Sequence, residues 1–238
     1  MAQSQHTLLT LEEAAAFLTM SPQNLRSMAV AGEMPCHRHG DKLMFEQNVL
    51  DIWLSQRLVE ADKAGKKLAS DTQGGSEFSL LDYCHVDCVS SNLPGKTKPA
   101  VLKSLVELAD KTGLLYNPDD LLTQLRLRED QAATAMASGI ALVHPAERDE
   151  FLFEEPFLCL AKTEQPVFFG EADGLPTDIF FLIASRDSDL HIKMLARICR
   201  LCELTNLLAD LRSAETAEDM LDALRKAEAH PAFLKDLQ

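Results

Sequence analysis

No stretch of this 238-residue chain holds enough consecutive apolar residues to span a bilayer. The N-terminus also lacks the basic head and apolar core of a secretion signal, so the cytoplasm is the expected address and no membrane partner is expected. Cysteine is sparse, since six in a chain of this size do not make a disulfide scaffold. Cys84, His85 and Cys88 with Cys199 and Cys202 are too scattered for the two compact ligand pairs of a zinc site. Cys199 and Cys202 lie at helical spacing in an apolar-patterned segment, where cysteine packs as a small hydrophobe. Neither a metal nor a cofactor is expected. There is no Walker-type loop and no GxGxxG run, and Ser138 lacks the flanking glycines of a nucleophile elbow. The pairs Glu154-Glu155 and Asp119-Asp120 read as solvated charges or caps rather than as acid–base dyads. Positive charge is short as well: 23 Lys and Arg stand against 37 Asp and Glu, a formal net charge of -14.

What the chain does have is clear punctuation, which divides it into residues 1–59, a linker over 60–77 and a larger domain over 78–238. In the first part, Thr10 with Glu13 makes a capping box ahead of Ala14 to Leu18. Ser21-Pro22 opens a second helix, Gly32 closes it and Pro35 prevents its continuation. Cys36 to Phe45, with a turn at Gly40-Asp41, reads as a hairpin, and Glu46 to Leu58 as a helix with Val49, Leu50, Trp53 and Leu54 on one face.

The pattern Leu9-Thr10-Leu11-Glu12-Glu13-Ala14-Ala15, Ser21, Gly32-Glu33-Met34-Pro35, Arg38-x-Gly40, Phe45 and Trp53-Leu54 resembles the winged helix-turn-helix domains of the excisionase and MerR-like group. That resemblance implies a second helix entering the major groove, with Gln23, Asn24, Arg26 and Ser27 facing bases or phosphates, and a hairpin wing carrying Arg38 and Lys42 along the backbone. Family members usually carry several basic residues on the second helix, whereas this one continues through Ser27, Val30 and Ala31. Lys and Arg supply most non-specific DNA affinity, so a single copy is expected to bind weakly. Use of the same fold for protein contact or dimerisation is the alternative.

Residues 60–77 are polar and end near Gly74-Gly75, the composition of an inter-domain linker. Beyond them strands alternate with helices. Strands are expected at Val86–Ser90, Ile140–Val143, Phe157–Ala161, Pro166–Phe169 and Asp178–Ala184, with a hairpin turn at Asp173-Gly174. Helices are expected at Lys98–Lys111, Asp119–Glu129, Ser185–Leu208 and Thr216–Ala229. The order fits an α/β sandwich with a mixed sheet flanked by helices. His144 ends the short apolar strand Ile140–Val143, on a rigid element, and a neutral imidazole there has a free ring nitrogen for nucleophilic work.

Four stretches in this region resemble the type-2 enzyme IIA domain of the fructose, mannitol and nitrogen-regulatory branch of the bacterial phosphotransferase system. They are Arg128-Glu129, Ser138 to His144, Asp173 to Ala184, and His191-Ile192-Lys193-Met194-Leu195-Ala196-Arg197. The resemblance implies that His144 takes a phosphoryl group from an HPr-type carrier, with Arg128 as bidentate partner and His191 in the first turn of a helix. The small-residue turn Ala135 to Gly139, Ser138 and Gly139 included, would bring backbone N–H groups to the phosphate. Alanines stand where the family loop has glycines, so a stiffer or reshaped loop is expected. The implied function is a regulator whose phosphorylation modulates DNA or a regulatory protein partner, as a monomer or homodimer. A relay component serving a sugar permease subunit and a non-catalytic interaction protein are the alternatives.

Overall fold

The computed structural model describes residues 8–17, 22–40, 42–46, 50, 53, 78–131, 133–147, 151–170, 176–231 and 233. Contacts divide the chain into two units, Met1–Thr72 and Gln73–Gln238, so the division falls inside the segment expected as a linker.

In the first unit, β1 (Leu8–Thr10) leads into α1 (Leu11–Phe17), followed by α2 (Pro22–Ala31) and the hairpin β2 (His37–His39) and β3 (Lys42–Glu46). The capping box forms: Thr10 N–H and Oγ1 donate to Glu13 Oε2 at 2.8 and 2.9 Å, and Glu13 N–H returns to Thr10 Oγ1 at 3.3 Å. Helix α2 ends in a Schellman motif, with Gly32 at φ 77° and Glu33 N–H reaching Met28 O at 2.9 Å. Ala14, Ala15, Leu25, Ala29, Met34, Phe45 and Leu50 form the core. Strand β1 was not expected; it adds to β3 outside the hairpin, giving the antiparallel order β1-β3-β2. Of the helix expected over 46–58, Glu46 ends β3 instead, and Leu50 and Trp53 alone among the rest are described. Trp53 Nε1 donates to Glu33 O at 2.8 Å, tying this segment to the end of α2. The linker and the Asp173-Gly174 turn lie outside the described residues.

The second unit holds a five-stranded mixed sheet in the order β4-β7-β8-β6-β5. Its strands are β4 (Val89–Leu93), β5 (Ala135–Met136), β6 (Ile140–Val143), β7 (Phe157–Val167) and β8 (Thr177–Ala184). β4 runs parallel to β7 and β6 to β8, while β7 with β8 and β5 with β6 are antiparallel. Helices cover the sheet: α3 (Lys98–Asp110), α4 (Pro118–Gln131), α5 (Ser188–Leu204), α6 (Leu207–Ser213) and α7 (Ala217–Glu228). Val101, Leu105, Leu121 and Leu125 of α3 and α4 share a core with Phe157, Phe180, Leu182 and Ala184. The alternating residues Ile179, Phe181 and Ile183 are equally buried, and α5 packs against β8. Burial on both faces explains why β6 and β8 read as unbroken apolar runs.

Three expected elements differ. Val86–Cys88 is a single 3-10 turn, closed by Cys88 N–H to His85 O at 2.9 Å, and the strand begins only at Val89. The two extended pieces expected at 157–161 and 166–169 are merged into one strand, β7, which ends at Val167 short of Phe168 and Phe169 and has a register shift between Lys162 and Val167. The long helix expected over 185–208 is α5 and α6. Thr205 stops the first by donating to Leu201 O at 2.6 Å, and its Oγ1 accepts from Leu207 N–H at 3.2 Å to start the second.

Candidate functional site

The last turn of helix α4 carries two adjacent charged residues that are both buried, Arg128 at 2% and Glu129 at 6% exposure. Strand β6 delivers His144 from the neighbouring sheet, and the first turn of α5, whose N-cap Asp187 accepts from Leu190 N–H at 2.7 Å, delivers His191. Both imidazoles are buried, His144 at 3% and His191 at 2% exposure, with ring centroids 4.9 Å apart and planes at 66°.

Each ring nitrogen of His144 has its own partner. Arg128 Nε lies 3.0 Å from Nε2 and Leu142 O lies 2.8 Å from Nδ1. A guanidinium only donates and a carbonyl only accepts, so Nδ1 carries the proton and Nε2 presents a lone pair to the arginine. The backbone two residues upstream therefore fixes the tautomer and aims the Nε2 lone pair at a cation.

Glu129 does different work. It pairs with Lys98 Nζ at 2.7 Å, accepts from Thr134 N–H with both carboxylate oxygens at 3.3 Å, and accepts from the Thr134 hydroxyl as well. Thr134 O in turn accepts from Leu142 N–H at 3.1 Å. The chain Lys98–Glu129–Thr134–Leu142 thus ends at the residue whose carbonyl holds His144. A buried carboxylate is tolerated because an ammonium and two N–H or O–H donors compensate it. Sequence reading missed Lys98 and Thr134 altogether and gave Glu129 no role, because side-chain reach across two helices and a loop leaves no spacing pattern.

Ser138 and Gly139 stand elsewhere, and their expected role needs correcting. The presumed turn at Ala135 to Gly139 is strand β5 followed by a 3-10 turn over Ala137–Gly139, at the opposite end of β6 from His144. Five residues of extended chain span about 16 Å, too far for those N–H groups to reach a phosphate on that ring. Ser138 takes φ 68° and Gly139 φ 77°, and among the described residues no alanine takes positive φ. The left-handed conformation is taken by Ser138 instead. Arg212 holds this turn, with Nη2 donating to Ser138 O at 2.5 Å and the guanidinium bidentate to Asp178 at 2.7 and 2.8 Å. The Asp178 hydrogen bonds raise the Arg212 pKa above its ordinary value. Thr134, whose O accepts from Leu142 N–H, is the part of this connection that lies beside the His144 end of β6.

In the first unit, Gln23, Arg26 and Ser27 are exposed on α2, Asn24 lies on the same helix, and Arg38 and Lys42 are exposed on the hairpin. The Ser27 hydroxyl donates to Gln23 O at 3.0 Å, so it is turned back onto its own helix. Among the described residues no group of three or more His, Cys, Asp or Glu is placed to hold a metal ion, and no helix is long and apolar enough to cross a membrane. The Cys88 thiol meets Cys159, and a hydrogen bond from Cys159, helped by the His85 backbone, lowers the Cys88 pKa, while burial pushes Cys159 up.

Residues 8–58 match a family described as a helix-turn-helix domain. The nitrogen regulatory protein of Pseudomonas aeruginosa is 27% identical over 129 residues, covering 53% of this chain and 82% of that protein. The fructose-specific EIIABC component of the Bacillus subtilis phosphotransferase system is 24% identical over 140 residues, covering 58% of this chain but only 22% of that much longer relative. The crystal structure of the nitrogen regulatory protein IIA-Ntr from Neisseria meningitidis superposes with a TM-score of 0.55 at 19% identity, covering 61% of this chain and 99% of that one, a likeness of fold. Residues 82–227, more than half of the chain, match the EIIA 2 description, and the chain belongs to the phosphoenolpyruvate-dependent sugar phosphotransferase system EIIA 2 family.

Proposed function

We propose that His144 accepts a phosphoryl group at Nε2 from the phosphohistidine of an HPr-type carrier, and that the phosphorylated state modulates DNA or protein binding by the helix-turn-helix unit. The observation that carries the reading is the Arg128–His144–Leu142 arrangement. In the transfer the donor's N–P bond breaks and its electron pair returns to the donor imidazole, while the lone pair on Nε2 forms the new N–P bond. No proton has to leave at that moment, because Nδ1–H is already directed at Leu142 O, which stabilises the positive charge the ring gains. Arg128 occupies Nε2 in the resting state and must shift its hydrogen bond from nitrogen to the phosphoryl oxygens, where a planar cation neutralises charge as it develops. The burial of the ring marks this geometry as closed, so the carrier has to open the site to reach it. His191, in the first turn of α5, lies where the helix dipole favours an anion.

The fused helix-turn-helix match favours a regulator over a pure relay component. Relay to a permease subunit is the second reading, supported by the fructose-specific relative. The test is incubation with phosphoenolpyruvate, enzyme I and an HPr-type carrier, followed by intact-mass measurement. Wild type is expected to gain one phosphoryl group and His144→Ala none. If wild type gains none, an interaction-only protein takes the place of the transfer reading.

A further inference from the structure

Resting on the DNA reading above, we infer that Val30 is a specificity-determining residue that reads the C5 methyl group of a thymine in the major groove. Gln23, Arg26, Ser27 and Val30 fall at i, i+3, i+4 and i+7 on α2, one exposed stripe, while Leu25 and Ala29 on the opposite side are buried. Each member of the stripe offers a different chemistry. Gln23 offers an amide and Arg26 a guanidinium, while the Ser27 hydroxyl donates its proton to Gln23 O at 3.0 Å and is left as an acceptor only. Val30 is 63% exposed, an isopropyl group standing on a face of otherwise polar residues. The major groove displays one apolar group, the thymine methyl.

Charge points the same way. Helix α2 has no acidic residue in its first turn and none further along, whereas α1 opens with Glu12 and Glu13. Arg26, Arg38 and Lys42 are the exposed cations on α2 and the hairpin. The stripe from Gln23 to Val30 spans about 10 Å of helix axis, or about three base steps. An amide that pairs in bidentate fashion with adenine and a valine against a thymine methyl then select an A·T-containing half-site, with Arg26 on guanine or phosphate.

The experiment uses the full chain. A random-sequence duplex pool is enriched on the protein, and the enriched duplex is remade with deoxyuridine for thymidine, which removes only the C5 methyl groups. Wild type is expected to bind the deoxyuridine version about three- to fivefold more weakly, the effect of burying one methyl group. Val30→Ala is expected to bind both versions equally, at about the level of wild type on deoxyuridine, with an unchanged circular dichroism melt because the side chain is exposed. Equal wild-type binding to both versions overturns the methyl reading and leaves the DNA reading standing. Discrimination retained by Val30→Ala overturns the assignment to Val30. If no duplex is enriched, the DNA reading and this inference fall together.

Discussion

At His144 the two ring nitrogens have different jobs because they face different partners, a carbonyl at Nδ1 and a guanidinium at Nε2. Replacing Arg128 by Met keeps the volume and removes the donor aimed at the phosphoryl group. Phosphoryl uptake is expected to slow by about a hundredfold, measured as the single-turnover rate from phosphorylated carrier, and equal rates would remove the assigned role. Gly139→Ala tests the opposite end of β6. At φ 77° a Cβ there would lie 2.8 Å from Arg212 Nη2 and 3.1 Å from Asp178 Oδ1. Destabilisation of about 1–3 kcal/mol is expected by chemical denaturation, while the folded fraction keeps its uptake rate, as it should if the turn takes no part in transfer. That His144, Arg128 and His191 come together was legible in the sequence because a family pattern ties their positions together. Ser138 and Gly139 were misplaced because adjacency in sequence was read as adjacency in space, although the strand between them and His144 carries the chain away. The Lys98–Glu129–Thr134 connection was not legible, since it depends on helix packing that spacing does not encode.

At the scale of elements, local chemistry that acts within a few residues was readable and tertiary competition was not. The Thr10–Glu13 box and the Gly32 stop form as expected, and the helix expected from Thr216 is α7, with Thr216 as its cap. β1 was hidden because a three-residue strand paired to β3 has no period of its own. The α5–α6 break was hidden because Thr205 satisfies backbone groups on both sides of it with one hydroxyl. The α7 cap makes a pH prediction. Thr216, through its hydroxyl and its N–H, holds the Asp219 carboxyl below its ordinary value of 3.8. A depressed folded-state value stabilises the fold above the unfolded value, and this is lost as pH falls through the lower one. Thermal melts between pH 5 and pH 2 are therefore expected to fall more steeply for wild type than for Asp219→Asn; parallel curves would show that ionisation of this carboxyl contributes nothing.

For the whole molecule, the deficit of cations sets what DNA binding can look like. A protein that neutralises phosphates with Arg26, Arg38 and Lys42 alone should show a slope of log affinity against log salt of about -3 or shallower per copy. Fluorescence anisotropy of the full chain with a labelled duplex, titrated at several salt concentrations, measures it. A zero slope would exclude those residues from phosphate contact, and a much steeper one would require further cations or a second copy. The mixed sheet flanked by helices was legible from the alternation of apolar runs with helical periods, and the order of its strands was not, since crossovers leave no local trace.

The most direct test of the account is the position of the phosphate itself. Protein labelled with nitrogen-15 in its histidines, phosphorylated through the carrier, is read by long-range proton–nitrogen NMR. The arrangement at His144 predicts phosphorus on Nε2, with Nδ1 still bonded toward Leu142 O, and no signal from His144→Ala. Phosphorus on Nδ1, on another histidine, or on none would contradict it.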